Sequence, residues 1–318
     1  MKMMRRIFMA FFIGCAYSYG WLISAEELKG NSDLLPAGRY IHLKTHRLYI
    51  HCMGDAQPAV VIDTGLGGSS LEWFQVQQAL AKRLRVCTYD RAGYGWSDPG
   101  PSPRITSRIV EELHRLLDKA QVPPPYVLIG HSFGGFTARY FATLYPGQVV
   151  GVVLVDSSHP DQSRRMSVLA IRAKADSMAR DRIDITSLTQ RADLPKEIRL
   201  AFYLNSRRKA LFAQMDEIKN FALSAAEVGA AGPFPNVPLV VLSHGRHIWP
   251  VGPHGDRMEA IWRELQRSLS GLAPRSRHIS AERSGHNIHL DQPELVVGAV
   301  ETIVRRLAEP RVTLQKPP

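Results

Sequence analysis

The stretch VLIGHSFGGFTARYFATLYP, from Val127 to Pro146, constrains the fold more than any other part of the chain. An apolar run stops at Gly130, then His131, Ser132 and Phe133 follow, then Gly134 and Gly135, then apolar residues at helical spacing. The run reads as a buried strand and the later spacing as a helix. A serine caught between glycines at that handover sits on a sharp, strained turn. The glycines let neighbouring backbone pass closely, the hydroxyl projects above the sheet, and the helix N-terminus adds positive potential beside it. This is the setting of a nucleophile; the plain alternative is a strand-to-helix turn with no chemistry.

The same rhythm extends both ways from residue 38. RYIHLKTHRLYIHCMG reads as a hairpin of alternating strands, and PAVVIDTG, RVCTYD, PYVLIG and VVGVVLVD as further strands. Between them, SLEWFQVQQALAKRL reads as one helix with Leu71, Phe74 and Leu80 on one side. RITSRIVEELHRLLDKA is a second, with Ile105, Ile109, Leu113 and Leu116 at helical spacing. Strands alternating with helices of this length imply a parallel sheet covered on both faces. From His159 to Pro235 only helical patterns occur. At VPLVVLSHG the strands resume, followed by a helix over 256–269, a strand over 276–281 and a last helix over 293–307. The expected organisation is therefore an α/β core over 38–158 and 236–308, an all-helical insert over 159–235 that serves as a lid or packs without further role, and a tail over 309–318.

Residues 1–37 stand apart. MKMMRR carries three positive charges, and Ile7 to Ile23 then runs 17 residues without a charge. That length is long for a signal-peptide core and short for a span, so the segment reads as a membrane anchor or a signal segment followed by a polar linker. In either case the basic flank is expected to stay in the cytoplasm and the rest to be exported. The net charge of +11 is scattered, with no run of five like charges and no aromatic residues interleaved with a basic cluster. It reads as a solvated basic surface, and no nucleic-acid partner is expected. Three cysteines are too few for a disulfide scaffold, and no C-x-x-C spacing points to zinc.

DTGLGGSSLEW, YDRAGYGWSD, GHSFGG and SGHNIHLDQPELV occur in that order. Together they resemble the α/β-hydrolase fold family, in its serine-hydrolase branch, over about residues 38 to 308. The resemblance implies a mostly parallel eight-stranded sheet flanked by helices, with the insert as a helical lid. It also implies an oxyanion hole made by two backbone N–H groups, those of Phe133 and of Leu66 in the glycine-rich loop GLGGSS. The base follows the last strand, where Gly285 and Pro293 frame His286; His289 is the neighbour, and His131 lies behind the turn. Asp90 and Asp98 are expected to hold backbone amides in a fixed loop. In this fold the strands carrying Cys52 and Cys87 are neighbours, so these two cysteines are candidates for a disulfide.

The acid departs from the commonest pattern. Most relatives place an aspartate a few residues past the glycine after the strand that follows the lid, yet no acid occurs here between Gly245 and Asp256. Some keep it at the end of the strand after the nucleophile helix, and that strand ends at Asp156. Asp156 is the first candidate and Asp256 the alternative. The combined reading is a hydrolase acting on a small or medium acyl substrate, a carboxylic ester first among them, with no cofactor and no metal. Amidase, lactonase, thioesterase, carbon–carbon bond hydrolase and acyltransferase chemistry use the same triad. A non-catalytic ligand-binding protein on this fold is the alternative of another class.

Overall fold

The computed structural model describes residues 36–166 and 195–308. The apolar segment over 7–23, the tail over 309–318 and part of the helical insert lie outside the described residues. Among the described residues no helix is long and apolar enough to cross a membrane.

Eight strands form one sheet: β1 (Arg39–His42), β2 (Arg47–Met53), β3 (Ala59–Asp63), β4 (Val86–Tyr89), β5 (Tyr126–His131), β6 (Val149–Val155), β7 (Leu239–His244) and β8 (Ser276–Ala281). Their order is β1-β2-β4-β3-β5-β6-β7-β8. The pairs β1–β2 and β2–β4 are antiparallel and all others parallel. The strand β5, which leads into Ser132, is therefore central.

Because side chains alternate across a strand, the strands β3 to β7 feed two cores. Val61, Leu128, Val152, Leu154 and Val241 pack on one face against α2 (Thr106–Lys119), α3 (Gly134–Leu144) and the end of α7 (Pro253–Ser270). Val60, Ile62, Val127, Ile129, Val153 and Val240 pack on the other, against α1 (Phe74–Leu80) and α9 (Pro293–Ala308). The insert contributes α4 (Lys196–Ser206), α5 (Arg208–Lys219) and α6 (Phe221–Ala230), followed after α7 by the short α8 (Ile288–Asp291). Within the fold, α4 packs on the turn over 70–73, and α6 packs on α2 and α3.

One expected helix is resolved differently. The segment read as continuous from Ser70 begins as a 3-10 turn, Ser70–Trp73, capped by Ser69 and Glu72, and only then becomes α1. The tighter turn shifts the phase of the buried face. Trp73, Val76 and Leu80 are buried, while Leu71 and Phe74 are half-buried. The latter two line a cavity of about 210 Å³ with Trp96, Lys196 and Leu200, and neither Ser132 nor His286 borders it. Cys52 and Cys87 are register partners on β2 and β4 and are joined by a disulfide.

Candidate active site

The site is built at the C-terminal edge of the parallel strands. His131 of β5 pairs with Val155 of β6, so the next residues, Ser132 and Asp156, stand side by side beyond their strands. Both take left-handed backbone, with φ of 49° and 42°. Such a conformation is strained for a residue with a Cβ and persists only where the surroundings hold it. Here Ser132 donates its amide to Val155 at 3.1 Å, and its carbonyl accepts from Ser158 and Gly135 at 2.9 and 3.0 Å. Asp156 donates its amide to Leu242 of β7 at 2.7 Å. The tightness of the turn explains Gly130, where a Cβ would lie 2.5 Å from the Gly134 carbonyl.

His286 follows β8. Its Nδ1 lies 2.6 Å from Asp156 Oδ2, the ring half-buried and the carboxylate fully buried. Its carbonyl lies 3.1 Å from His131 Nε2. Burial, then the neighbouring His289 and His286 rings, hold His131 well below the ordinary histidine range. It packs as a neutral wedge beneath the turn. His289 is fully buried and stacks on Trp73 at 4.2 Å. Asp256 lies in the first turn of α7, exposed, with Oδ1 3.1 Å from His247 Nε2. Asp90 accepts from the amides of Ser70 and Trp96, both at 2.8 Å, and Asp98 from the Arg47 backbone and side chain.

The glycine-rich loop lies against the serine. A Cβ on Gly65 would meet His131 Nδ1 at 2.8 Å and Ser132 Cβ at 3.2 Å, so only glycine allows this approach. Leu66 packs on the cluster of Phe133, Phe136 and Phe221. Arg91 fixes the loop from the far side, donating to the carbonyls of Thr64 and Gly65 at 2.6 and 2.9 Å. With those carbonyls turned toward Arg91, the amides that follow them are left to face away. Arg91 is itself held by Asp63 at 2.7 Å and by both oxygens of Glu217 at 3.0 and 3.1 Å, and Tyr94 donates to Glu217 at 2.9 Å. Burial alone would lower the Arg91 pKa, but the Glu217 and Asp63 carboxylates outweigh it and raise it. Glu217 belongs to α5, so a helix of the insert is tied to the loop by a buried ion pair.

Asp156 has further partners. His244 Nδ1 lies 2.8 Å from the same Oδ2, while the His244 amide and Trp262 Nε1 donate to Oδ1 at 3.2 and 2.9 Å. Burial alone would raise the Asp156 carboxyl; the hydrogen bonds from His244 and His286 outweigh it and hold it well below the usual carboxylate range. Sequence reasoning passed over His244, Glu259, Trp262, Arg91 and Glu217. A signal existed for His244: it is a titratable residue ending the mostly apolar strand β7 at the edge where ligands bind in open α/β sheets. For Glu217, on an amphipathic helix far along the chain, there was none. Among the described residues no cluster of three or more histidine, cysteine, aspartate or glutamate side chains could hold a metal ion.

A parallel sheet carrying a strained serine between strand and helix, with a histidine–aspartate pair at the same edge, defines the α/β-hydrolase class. The profile of the alpha/beta hydrolase fold matches residues 58–264, and the chain belongs to that family. An uncharacterised Bacillus subtilis protein, YqjL, is 26% identical over 246 residues, covering 77% of this chain and 83% of that one. The crystal structure of an enol-lactonase from Burkholderia xenovorans is similar in fold, with a TM-score of 0.59 at 17% identity, covering 84% of this chain and all of that one. A thermophilic esterase from Thermogutta terrifontis gives a TM-score of 0.58 at 18% identity, over 85% of this chain and all of that one.

Proposed function

We propose that the protein is a serine hydrolase that cleaves a carboxylic ester of small or medium size through an acyl-enzyme. The observation that carries this reading is the 2.6 Å contact between His286 Nδ1 and Asp156 Oδ2 at the edge where Ser132 stands in left-handed backbone. Asp156 holds the imidazole with its proton on Nδ1 and leaves Nε2 as the acceptor. Ser132 Oγ attacks the carbonyl carbon and its proton passes to His286 Nε2. The tetrahedral oxyanion accepts from the Leu66 and Phe133 amides. Collapse expels the alcohol, which takes the proton from His286. Water then attacks the acyl-enzyme with His286 again as base, and the acid departs. Leu66 packs half-buried on the apolar cluster of Phe133, Phe136 and Phe221, and Ser132 at 8% exposure favours a substrate that can be enclosed. The enol-lactonase and esterase neighbours support acyl–oxygen chemistry.

The helices α4, α5 and α6 serve in this reading as a lid, tied to the loop through Glu217. Residues 7–23 act as anchor or signal, and the catalytic domain works outside the cytoplasm. The Cys52–Cys87 bridge fits an oxidising compartment.

The test is fluorophosphonate labelling with peptide mapping, run beside a panel of p-nitrophenyl esters of increasing chain length. Label is expected on Ser132, and Ser132→Ala should lower kcat by about 10³-fold or more. Label on another serine, or an active Ser132→Ala, would overturn the reading.

A further inference from the structure

His244 meets a carboxylate at each ring nitrogen. Nδ1 lies 2.8 Å from Asp156 Oδ2, and Nε2 lies 3.2 and 3.3 Å from the two oxygens of Glu259 on α7. The ring is fully enclosed. A neutral imidazole has one N–H and could donate to only one of these carboxylates, whereas the imidazolium donates to both. Burial works against the charged form, but the hydrogen bonds to Asp156 and Glu259 prevail and push the pKa up to about 9. Glu259 is in turn held by Arg263 Nε at 2.9 Å.

Asp156 Oδ2 is thus shared between His244 and His286. We propose that His244 is a fixed imidazolium and a positioning residue, which orients Asp156 and offsets its charge beside His286. This rests on the serine-hydrolase reading. A buried carboxylate favours proton uptake by a base bonded to it. A cation bonded to the same oxygen opposes that uptake. The carboxylate still stabilises the imidazolium that forms during the reaction.

The surroundings leave these groups in charge of the balance. Around His244 stand Asp156 from the end of β6, Glu259 and Arg263 from α7, and the Trp262 ring stacked at 6.2 Å. Around His286 stand Asp156, the Trp262 ring at 6.3 Å and the His131 ring at 4.7 Å. His289 lies 4.7 Å beyond His131, with Glu72 3.9 Å from His289. Among these, the added positive charge facing His286 is His244.

The experiment has two arms on the full-length protein. The first is nitrogen NMR of ring-labelled histidine in the wild type, with the His244 signal assigned by its loss in His244→Gln or its displacement in Glu259→Gln. Both ring nitrogens of His244 should be protonated at pH 7.5, with release of a proton near pH 9. The second arm is the pH profile of kcat/KM on an activated ester. His244→Gln should shift the acid limb upward by about one pH unit, because a nearby cation has been removed. It should also lower kcat by about 10- to 100-fold with KM nearly unchanged, as an interaction made through the base rather than with substrate requires. Glu259→Gln, which weakens the hold on the imidazolium, should move the limb the same way by less, and it carries the second arm if His244→Gln does not fold. A single protonated ring nitrogen on His244 at pH 7.5, or variant profiles that superimpose on the wild type, would overturn the proposal. A wild type that neither takes the fluorophosphonate on Ser132 nor hydrolyses any ester defeats the hydrolase reading instead, and the NMR arm still decides the charge of His244.

Discussion

Ser132 and Asp156 stand next to each other as the first residues beyond two paired strands, and each is held in left-handed backbone, at φ 49° and 42°. The fold thus places two strained positions at one edge. A strained serine gives a direct prediction that separates chemistry from stability. Ser132→Ala and Ser132→Gly both remove the hydroxyl, but only alanine keeps the Cβ that makes this φ costly. Both should be inactive, and the glycine variant should be more stable than the alanine variant by about 1 kcal/mol. Urea unfolding of the two proteins checks it; equal midpoints would mean that the turn carries no such strain.

Asp156 and Asp256 make opposite predictions. Asp156→Asn should drop kcat by about 10⁴-fold, because the amide favours the wrong His286 tautomer. It should also destabilise the fold, on the order of 3 kcal/mol, since it strips the buried His244 imidazolium of a counter-charge. Asp256→Asn touches only the exposed His247 and should change both quantities little. Kinetics and denaturation of the two variants decide between them, and an active Asp156→Asn would remove Asp156 from the mechanism.

How much of this could be read beforehand follows from the range of the interactions. The turn at Ser132 and the succession of strands along the chain are written in local patterns, an apolar run, a glycine, a polar residue at the strand end, whereas the candidacy of Asp156 rests on the resemblance to the family. The 3-10 turn at Ser70 was misread because Leu71 and Phe74 keep a helical spacing although the backbone there is tighter. They face the insert helix α4, and periodicity carries no record of a neighbour from another part of the chain. The pairs Arg91–Glu217 and His244–Asp156 escape for the same reason, separated by 126 and 88 positions. Buried charges are satisfied by whatever the tertiary fold brings near, and residue type alone does not say which.

The glycine-rich loop proposed to hold the oxyanion is expected to depend on Arg91. A lysine retains the charge but cannot reach Asp63, Glu217 and two carbonyls with one ammonium group. Arg91→Lys should lower kcat by about 10- to 100-fold, within the range for loss of oxyanion donors, with little change in KM. Glu217→Gln should do the same more weakly and should cost on the order of 3 kcal/mol of stability by breaking a buried pair. Steady-state kinetics with thermal melts test both; a normal kcat in a folded Arg91→Lys would show that the loop holds its shape without the guanidinium.

The bridge between Cys52 and Cys87 closes a separation of 35 residues. A loop of that length should contribute about 2–4 kcal/mol, chiefly by restricting the unfolded chain. Non-reducing peptide mapping of the purified protein should recover the two segments as one linked species. Reductant, or the double change Cys52→Ala and Cys87→Ala, should lower the denaturation midpoint while leaving the edge that carries Ser132 and Asp156 intact. Separate peptides from unreduced protein would exclude the bridge.

His244 also sets a pH window for stability that is independent of any substrate. Its pKa in the fold, about 9, lies above the value of roughly 6.5 for an unfolded histidine. A raised pKa contributes stability that is fully present below about pH 6.5 and is lost as the pH rises through 9. By linkage the loss is on the order of 3 kcal/mol. Asp156 and Glu259 act in the opposite sense. The first is buried and the second nearly so, yet hydrogen bonds from His244 hold both below the ordinary carboxylate range, so their contribution is present above about pH 4 and is lost as the pH falls. The fold should therefore be most stable between about pH 4 and 6.5 as far as this cluster is concerned. Its alkaline loss should be reduced in His244→Gln, which has no proton to release. Urea unfolding at pH 6, 8 and 9.5 would show the wild-type curve falling toward that of the variant, and two curves that stay parallel would mean that His244 is not charged in the folded protein.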